Sequence, residues 1–361
     1  MPYTEADSYF NRHDSALNET FVVGDREEMR ADGIRIEYVQ IADGCEREPG
    51  RQEVQSTVAR MDQMLVKHPE WKAPYFDANT QKIIFDPANE SAELLYGDSE
   101  TLLNWGYSAM QAHATALYPL QRPHADRLPS GEEIDDKSRN FFYHGLDAIG
   151  IRTRAMIMTE ISTRYLNDKP AARWISLACG GAVPVIDALK AHEDIGMIHL
   201  DLVDYNSDAL AFASELATHE ASLQQVPTYN KENELRSYSI HEANLVRGLI
   251  ASDSLVDQFG ESSSDMVDAL GIFEYFSKKD STKFLKNAYR MVGDGGVMVI
   301  ANMLADRPQM EFNRRGVGWP QLYPRSIDEL SQIIIDAEIN PDNAKIIISE
   351  DGVYAVVEIR K

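Results

Sequence analysis

Apolar positions fall into two regimes along this chain, and the change comes near residue 170. Before it, apolar residues recur mainly at helical spacing. Val54, Val58, Met61 and Leu65 share one helical face, and residues 91–96 and 101–118 repeat the pattern. Two short stretches interrupt it and read as strands: 33–41, where Ile34, Ile36 and Tyr38 alternate, and Lys82-Ile-Ile-Phe85. After residue 170, short apolar-rich runs at 174–178, 199–204, 238–240, 265–270 and 297–301 are separated by amphipathic stretches. These include 207–219, with Leu210, Phe212, Ala213 and Leu216, and 279–292, stopped by Gly293-Asp-Gly-Gly296. Strand and helix in alternation predict a parallel sheet with helical crossovers. The order then changes. A helix opens at Ser326, with Glu329 three residues on as a capping box, and 346–348 and 354–359 are two strands joined near Asp351-Gly352, a closing hairpin.

At 361 residues the chain is long enough for two domains. We expect a mostly helical N-terminal domain with a small β element over 1–125 and an α/β domain over 126–361, its core at 170–361. Residues 123–136, rich in Pro, Gly and charge, read as an exposed connection. A net charge of −23 repels phosphate backbones, so nucleic acid is not the expected partner. No apolar run approaches the ~18 residues of a membrane span, and Met1-Pro-Tyr-Thr-Glu5 does not read as a signal peptide. Two cysteines, Cys45 and Cys179, build neither a disulfide framework nor a zinc cluster, and no metal site is expected. A cytoplasmic setting and a small-molecule substrate fit these features, and a homodimer is compatible with them.

The residues that carry chemistry begin at Trp174-Ile-Ser-Leu-Ala-Cys-Gly-Gly-Ala-Val-Pro184, an apolar run entering a glycine turn from which a helix leaves. Gly180 and Gly181 lack Cβ atoms, so the backbone can come close to a ligand. Pro184 suits a first helical turn. Asp204 ends the second apolar run 24 residues after Gly180 (204 − 180), where a carboxylate meets the hydroxyls of a ribose. From Gly180 the chain reads G-G-A-V-P-V, without the G-x-G-x-x-G of dinucleotide folds, and a Walker-type G-x-x-x-x-G-K-[ST] is absent from the sequence. An ordinary strand-to-helix turn remains the plain alternative for the glycine pair alone.

This stretch resembles motif I of class I S-adenosylmethionine-dependent methyltransferases, with Ser176 where that family usually carries an acid. The resemblance covers about 190 residues, 170–361. It implies an α/β, Rossmann-like, seven-stranded mixed sheet with a C-terminal antiparallel hairpin, S-adenosyl-L-methionine as cofactor, and methyl transfer as the activity. It also implies cofactor contacts from Ala178, Cys179 and Gly180 in the loop, and from Asp204, Tyr205 and Asn206 after the second strand. Ala243, Asn244 and Leu245 would lie at the adenine, with Asn244 the partner of its amino group, and Leu270 and Gly271 belong to the fourth motif. The segment before the core, Phe141-Phe-Tyr-His-Gly145 to Arg154, lies where the resembled family covers its cofactor, with Tyr143, His144, Arg152 and Arg154 the candidates by position to reach the cofactor's carboxylate. Arg152 reads equally as a structural cation.

Glu274, Tyr275 and His144 are the candidate catalytic residues, since a hydroxyl or ammonium acceptor needs a base within hydrogen-bond reach. Glu274 also reads as a capping or surface acid, and His144 as a structural histidine. Cys179 reads as a small side chain rather than a nucleophile. The one basic island, Arg307, Arg314, Arg315 and Arg325, sits in the loop 304–325 with Trp319 and Tyr323; it can hold a substrate anion or simply make surface ion pairs. Gly271-Ile-Phe-Glu-Tyr275 with Tyr323-Pro-Arg325 is similar to bacterial methyltransferases linked to hydroxy-fatty-acid methyl esters, and inclines the reading to O-methylation of a carboxyl or hydroxyl. Two other readings stay open: an aminopropyl transferase on the same core, and a non-catalytic cofactor-binding scaffold.

Overall fold

The computed structural model describes residues 21–167, 169, 171–191, 197–229 and 236–361. The first five residues, which bear on the signal-peptide expectation, lie outside them. The described strands are β1 (Phe21–Met29), β2 (Arg35–Ala42), β3 (Tyr75–Asp77), β4 (Lys82–Ile84), β5 (Ala171–Leu177), β6 (Met197–Asp204), β7 (Gln224–Gln225), β8 (Ser237–Glu242), β9 (Ser264–Ala269), β10 (Val292–Met303), β11 (Ala344–Ser349) and β12 (Tyr354–Arg360). The chain divides into two compact units, and neither is continuous in sequence. One holds Ile41–Thr153 with Asp306–Gln321, and the other Val22–Gln40, Arg154–Ala305 and Leu322–Lys361. A single cut at 125/126 is therefore not how the chain divides. The first strands feed the second unit's sheet, and part of the 304–325 loop packs within the first unit.

In the second unit one sheet runs β1-β2-β11-β12-β10-β9-β5-β6-β8-β7. β5, β6, β8, β9 and β10 pair in parallel. Their near-continuous burial is what a parallel sheet demands of its strands. β12 inserts antiparallel between β10 and β11, so the expected hairpin closes the sheet. Ile175, Leu177, Val203, Val267, Met298 and Val357 are core positions, packed with Phe284 and Leu285 of the helix Lys278–Met291.

The sheet has ten strands, not seven. β7 adds two residues beside β8, and β2 joins the other side by pairing in parallel with β11, Ile36 opposite Ile346 and Tyr38 opposite Ile348. Charge fixes that addition: Lys345 Nζ lies 2.7 Å from Glu37 and 3.5 Å from the buried Glu358, which Arg164 also reaches at 3.2 Å. The Gly293–Gly296 cluster proves to be part of β10 rather than a helix stop. The ladder to β9 breaks between Val292 and Val297, and a Cβ on Gly296 would stand 2.9 Å from the Asp265 carbonyl.

In the first unit the helix Arg51–Lys67 buries Val58, Met61 and Leu65, as the spacing predicts. The helices Glu90–Tyr96 and Glu100–Ala109 are capped by the Asn89 and Ser99 side chains. The single helix expected over 101–118 ends early because Ala112 adopts a left-handed φ of 50°; a short 3-10 turn, Ala114–Leu117, follows. Residues 123–136 are not simply exposed, since Ala125, Leu128 and Ile134 are buried.

Candidate functional site

Asp204 organises the glycine loop. Its Oδ2 accepts the Gly180 N–H at 2.9 Å, its Oδ1 accepts the Asn206 N–H at 2.9 Å, and its carbonyl accepts the Ala243 N–H at 2.8 Å. One residue, through its carboxylate and its carbonyl, thus gathers the ends of β5, β6 and β8. A second bond, Cys179 N–H to the Val203 carbonyl at 3.1 Å, holds the loop against β6. Loop residues Ala178, Gly180 and Ala182 take φ of 49°, 53° and 54°, so two non-glycine residues sit in the left-handed region. Such conformations persist only where surroundings impose them. On Gly181 a Cβ would stand 3.0 Å from the Phe212 ring, so a side chain there requires that ring to shift by a few tenths of an ångström. Pro184 lies in the first turn of the helix Val183–Lys190.

The loop suits a nucleoside with a polar tail. The Asp204 carboxylate, with about four lone-pair positions, spends two on backbone N–H groups and keeps acceptor capacity for hydroxyls. Tyr205, next in the chain, is 65% exposed and presents a flat ring. Asn206 is engaged as a cap, its Oδ1 accepting the Asp208 and Ala209 N–H groups. Asn244 is exposed and its Oδ1 accepts the Arg247 N–H at 3.1 Å, opening the helical turn Val246–Ala251; Leu245 is buried. Burial first, then the Asp204 and Asp268 carboxylates, hold the Cys179 thiol well above its ordinary range, which disfavours a thiolate nucleophile.

Asp268 was not singled out from the sequence. It stands opposite Ser176 across the β5–β9 pair, so a buried acid faces the position where the resembled family's motif I acid is absent. Its Oδ1 accepts the Trp174 indole N–H at 2.7 Å, and burial pushes its carboxyl up to about 7. The signal in the sequence was an aspartate inside an apolar strand, Met266-Val-Asp-Ala-Leu270.

Past β9, Leu270 is buried and Gly271 leads into the turn Phe273–Tyr275. Glu274 is buried rather than a surface acid. It lies 3.5 Å from the equally buried Arg154, and burial raises its carboxyl against the pull of that guanidinium. Tyr275 donates its N–H to the Ile272 carbonyl. Arg325 fixes the turn with donors to the Phe273 and Phe276 carbonyls, Asn302 Oδ1 and Ser281 Oγ.

Tyr143, His144 and Arg152 belong to the first unit and have partners there. Tyr143 Oη meets His124 at 2.9 Å and His144 Nε2 meets the Pro49 carbonyl at 3.0 Å. Burial lowers His144 and so weakens it as a base. The Arg152 guanidinium donates to Asp43 at 2.7 Å and to the carbonyls of Leu120, Phe142 and Tyr143, which occupies four of its five N–H groups. This is the structural alternative of its two readings.

The basic island is mostly consumed too. Arg307 pairs with Asp147, Arg315 donates to the His68 carbonyl at 2.8 Å and to those of Leu65 and Trp71, and Arg325 is buried. Arg315 thereby caps the helix Arg51–Lys67, a favourable place for a cation. Only Arg314, 62% exposed beside Glu311, fits the solvated reading. Among the described residues no cluster of three or more His, Cys, Asp or Glu is placed to hold a metal, and no helix is long and apolar enough to cross a membrane.

No protein-family model and no curated protein sequence matches the chain. Among solved structures, a "possible exported protein" from Bordetella parapertussis shares the fold at a TM-score of 0.55 and 14% identity, over 86% of this chain and 96% of that one. Weaker overlaps include magnesium protoporphyrin IX methyltransferase from Synechocystis with bound S-adenosylhomocysteine, at 11% identity and TM-score 0.43 over 71% and 96% of the two chains. The S-adenosylmethionine-dependent methyltransferase SibL overlaps at 13% identity and TM-score 0.44 over 83% and 84%. The mixed sheet closed by an antiparallel hairpin, with a glycine loop after β5, is the arrangement the sequence resemblance leads one to expect, with three further strands.

Proposed function

We propose that the chain is an S-adenosylmethionine-dependent methyltransferase acting on oxygen of a small-molecule acceptor. The observation that carries this reading is the closure of the glycine loop by Asp204, which leaves a carboxylate with spare acceptor positions beside a half-buried backbone turn. Ala178, Cys179 and Gly180 would underlie the amino-acid half of the cofactor, Asp204 its ribose, and Ala243 to Leu245 its adenine. Bound there, the cofactor would supply an electrophilic methyl group on a sulfonium. The chain's own contribution is position, dryness and proton handling. Aligning two reactants can lower a barrier by ~7–11 kcal/mol at best. Glu274, buried and raised, is the residue we assign to accept the acceptor's proton; His144 is less suited because burial lowers it.

Calorimetric titration of the full chain with S-adenosylmethionine and S-adenosylhomocysteine tests the reading. Micromolar binding, weakened about a hundredfold or more in Asp204→Ala, is the expected result. Absence of binding to the wild type would sink it. Tight binding with no turnover on any phenol or carboxylic acid would favour the scaffold instead.

A further inference from the structure

Arg154 and Glu274 are a buried ion pair that does not satisfy itself. Both are about 4% exposed, and their closest approach, Nη1 to Oε1, is 3.5 Å. Arg154 Nη1 and Glu274 Oε2 are buried with no hydrogen-bond partner, which is rare in folded proteins. The two residues are nevertheless firmly held. The Arg154 guanidinium lies 4.4 Å from the centre of the Tyr354 ring, and its Nη2 stands 3.6 Å from where a Cβ on Gly271 would be. Glu274 sits in the turn pinned by Arg325, and its carbonyl accepts the Tyr323 N–H at 2.7 Å. A donor and an acceptor thus lie together at the carboxyl end of β9, where open α/β sheets bind their ligands.

We propose that Arg154 and Glu274 bind the acceptor as a neutral hydroxyl, phenolic or enolic, with Arg154 Nη1 donating to its oxygen and Glu274 Oε2 taking its proton. This rests on the methyltransferase reading and deepens it by choosing between hydroxyl and carboxyl. A hydroxyl both donates and accepts, so it satisfies both atoms. A carboxylate only accepts, which leaves Oε2 unpaired and sets two anions side by side. An ammonium only donates, and leaves Nη1 facing a second cation. A carboxamide meets both atoms but has no readily lost proton, so it makes no use of a buried carboxylate that burial has made more basic. In the proton step the O–H bond breaks, its electron pair stays on the acceptor oxygen beside Nη1–H, and the proton lands on Oε2.

The test is calorimetry on the full chain with S-adenosylhomocysteine present, using 1-naphthol and 1-naphthoate as matched probes. Wild type should favour 1-naphthol by roughly tenfold or more. Glu274→Gln should invert that preference, because Arg154 is left without its counter-charge and accepts the anion. The neutral Arg154→Met/Glu274→Gln variant, which buries no charge, should bind both probes weakly and without preference. It carries the test if Glu274→Gln alone does not fold. Equal affinity for the two probes in wild type, no affinity for either, or an unchanged preference in the variants would overturn the proposal. Binding of S-adenosylhomocysteine separates the outcomes: if it persists, only the hydroxyl assignment falls; if it is absent, the methyltransferase reading falls with it.

Discussion

Arg325 and Arg154 are both buried in the second unit at 4% exposure, and both attend the same turn, Phe273–Tyr275. Their chemistry is opposite. Arg325 has carbonyls, an amide oxygen and a hydroxyl around it, and no carboxylate within ion-pair distance among the described residues. It stitches β10, the turn and the helix Lys278–Met291 together as a cross-linking donor. Arg154 faces a carboxylate at 3.5 Å, lies on an aromatic ring, and keeps a donor without a partner. A buried cation whose hydrogen bonds are made holds shape. One whose bonds are left unmade in the same neighbourhood points to chemistry. Of the arginines in the 304–325 loop, Arg307, Arg315 and Arg325 hold structure and Arg314 is solvated, whereas the buried cation with a donor to spare, Arg154, lies outside that loop.

Substitutions sharpen the contrast, beginning with the largest effect. Arg325→Met strands the Phe273 and Phe276 carbonyls and Asn302 Oδ1 in the core, so urea unfolding should show a loss of about 3–5 kcal/mol. A loss under ~1 kcal/mol would make Arg325 a bystander.

Asp268 extends the comparison to a buried acid. Its folded value of about 7 lies above an unfolded value near 3.8, so the folded state binds the proton more tightly. The stability this confers is complete below pH ~3.8, is lost as pH rises to about 7, and changes no further above that. Relative to wild type, Asp268→Asn should therefore gain stability across this window, by up to roughly 4 kcal/mol. Parallel pH profiles of wild type and variant would refute the assignment.

Arg154→Met should cost less than Arg325→Met, about 1–2 kcal/mol, because the Glu274 left behind can take up a proton. Equal losses at the two arginines, by the same urea titration, would erase the distinction between them.

The sequence made the parts of the site that are local in the chain legible. Gly180, Asp204 and Asn206 fall within one strand–turn–helix–strand unit, whose turn chemistry is written in consecutive residues. The helix Ser207–His219, the Ser326–Glu329 capping box and the closing hairpin follow from periodicity and cap chemistry in the same way. What stayed hidden depends on distant pairing. Nothing near Arg35–Ala42 says that its neighbour is β11, and a strand reads the same whichever partner it finds. Asp268 became a candidate only through its register with Ser176. The basic island left an anion site and plain ion pairs both open, because a string of arginines shows charge but not the carbonyls that meet it.

The join between β2 and β11 has a consequence in time. Glu37 and Lys345 are 308 residues apart, so the ribosome must make almost the whole chain before that bond can form. At ~5–20 residues per second, the segment 22–40 waits on the order of 15–60 seconds with its pairing edge open. During that interval it is a template for any passing strand, and a chaperone that shields extended segments should engage the nascent chain there first.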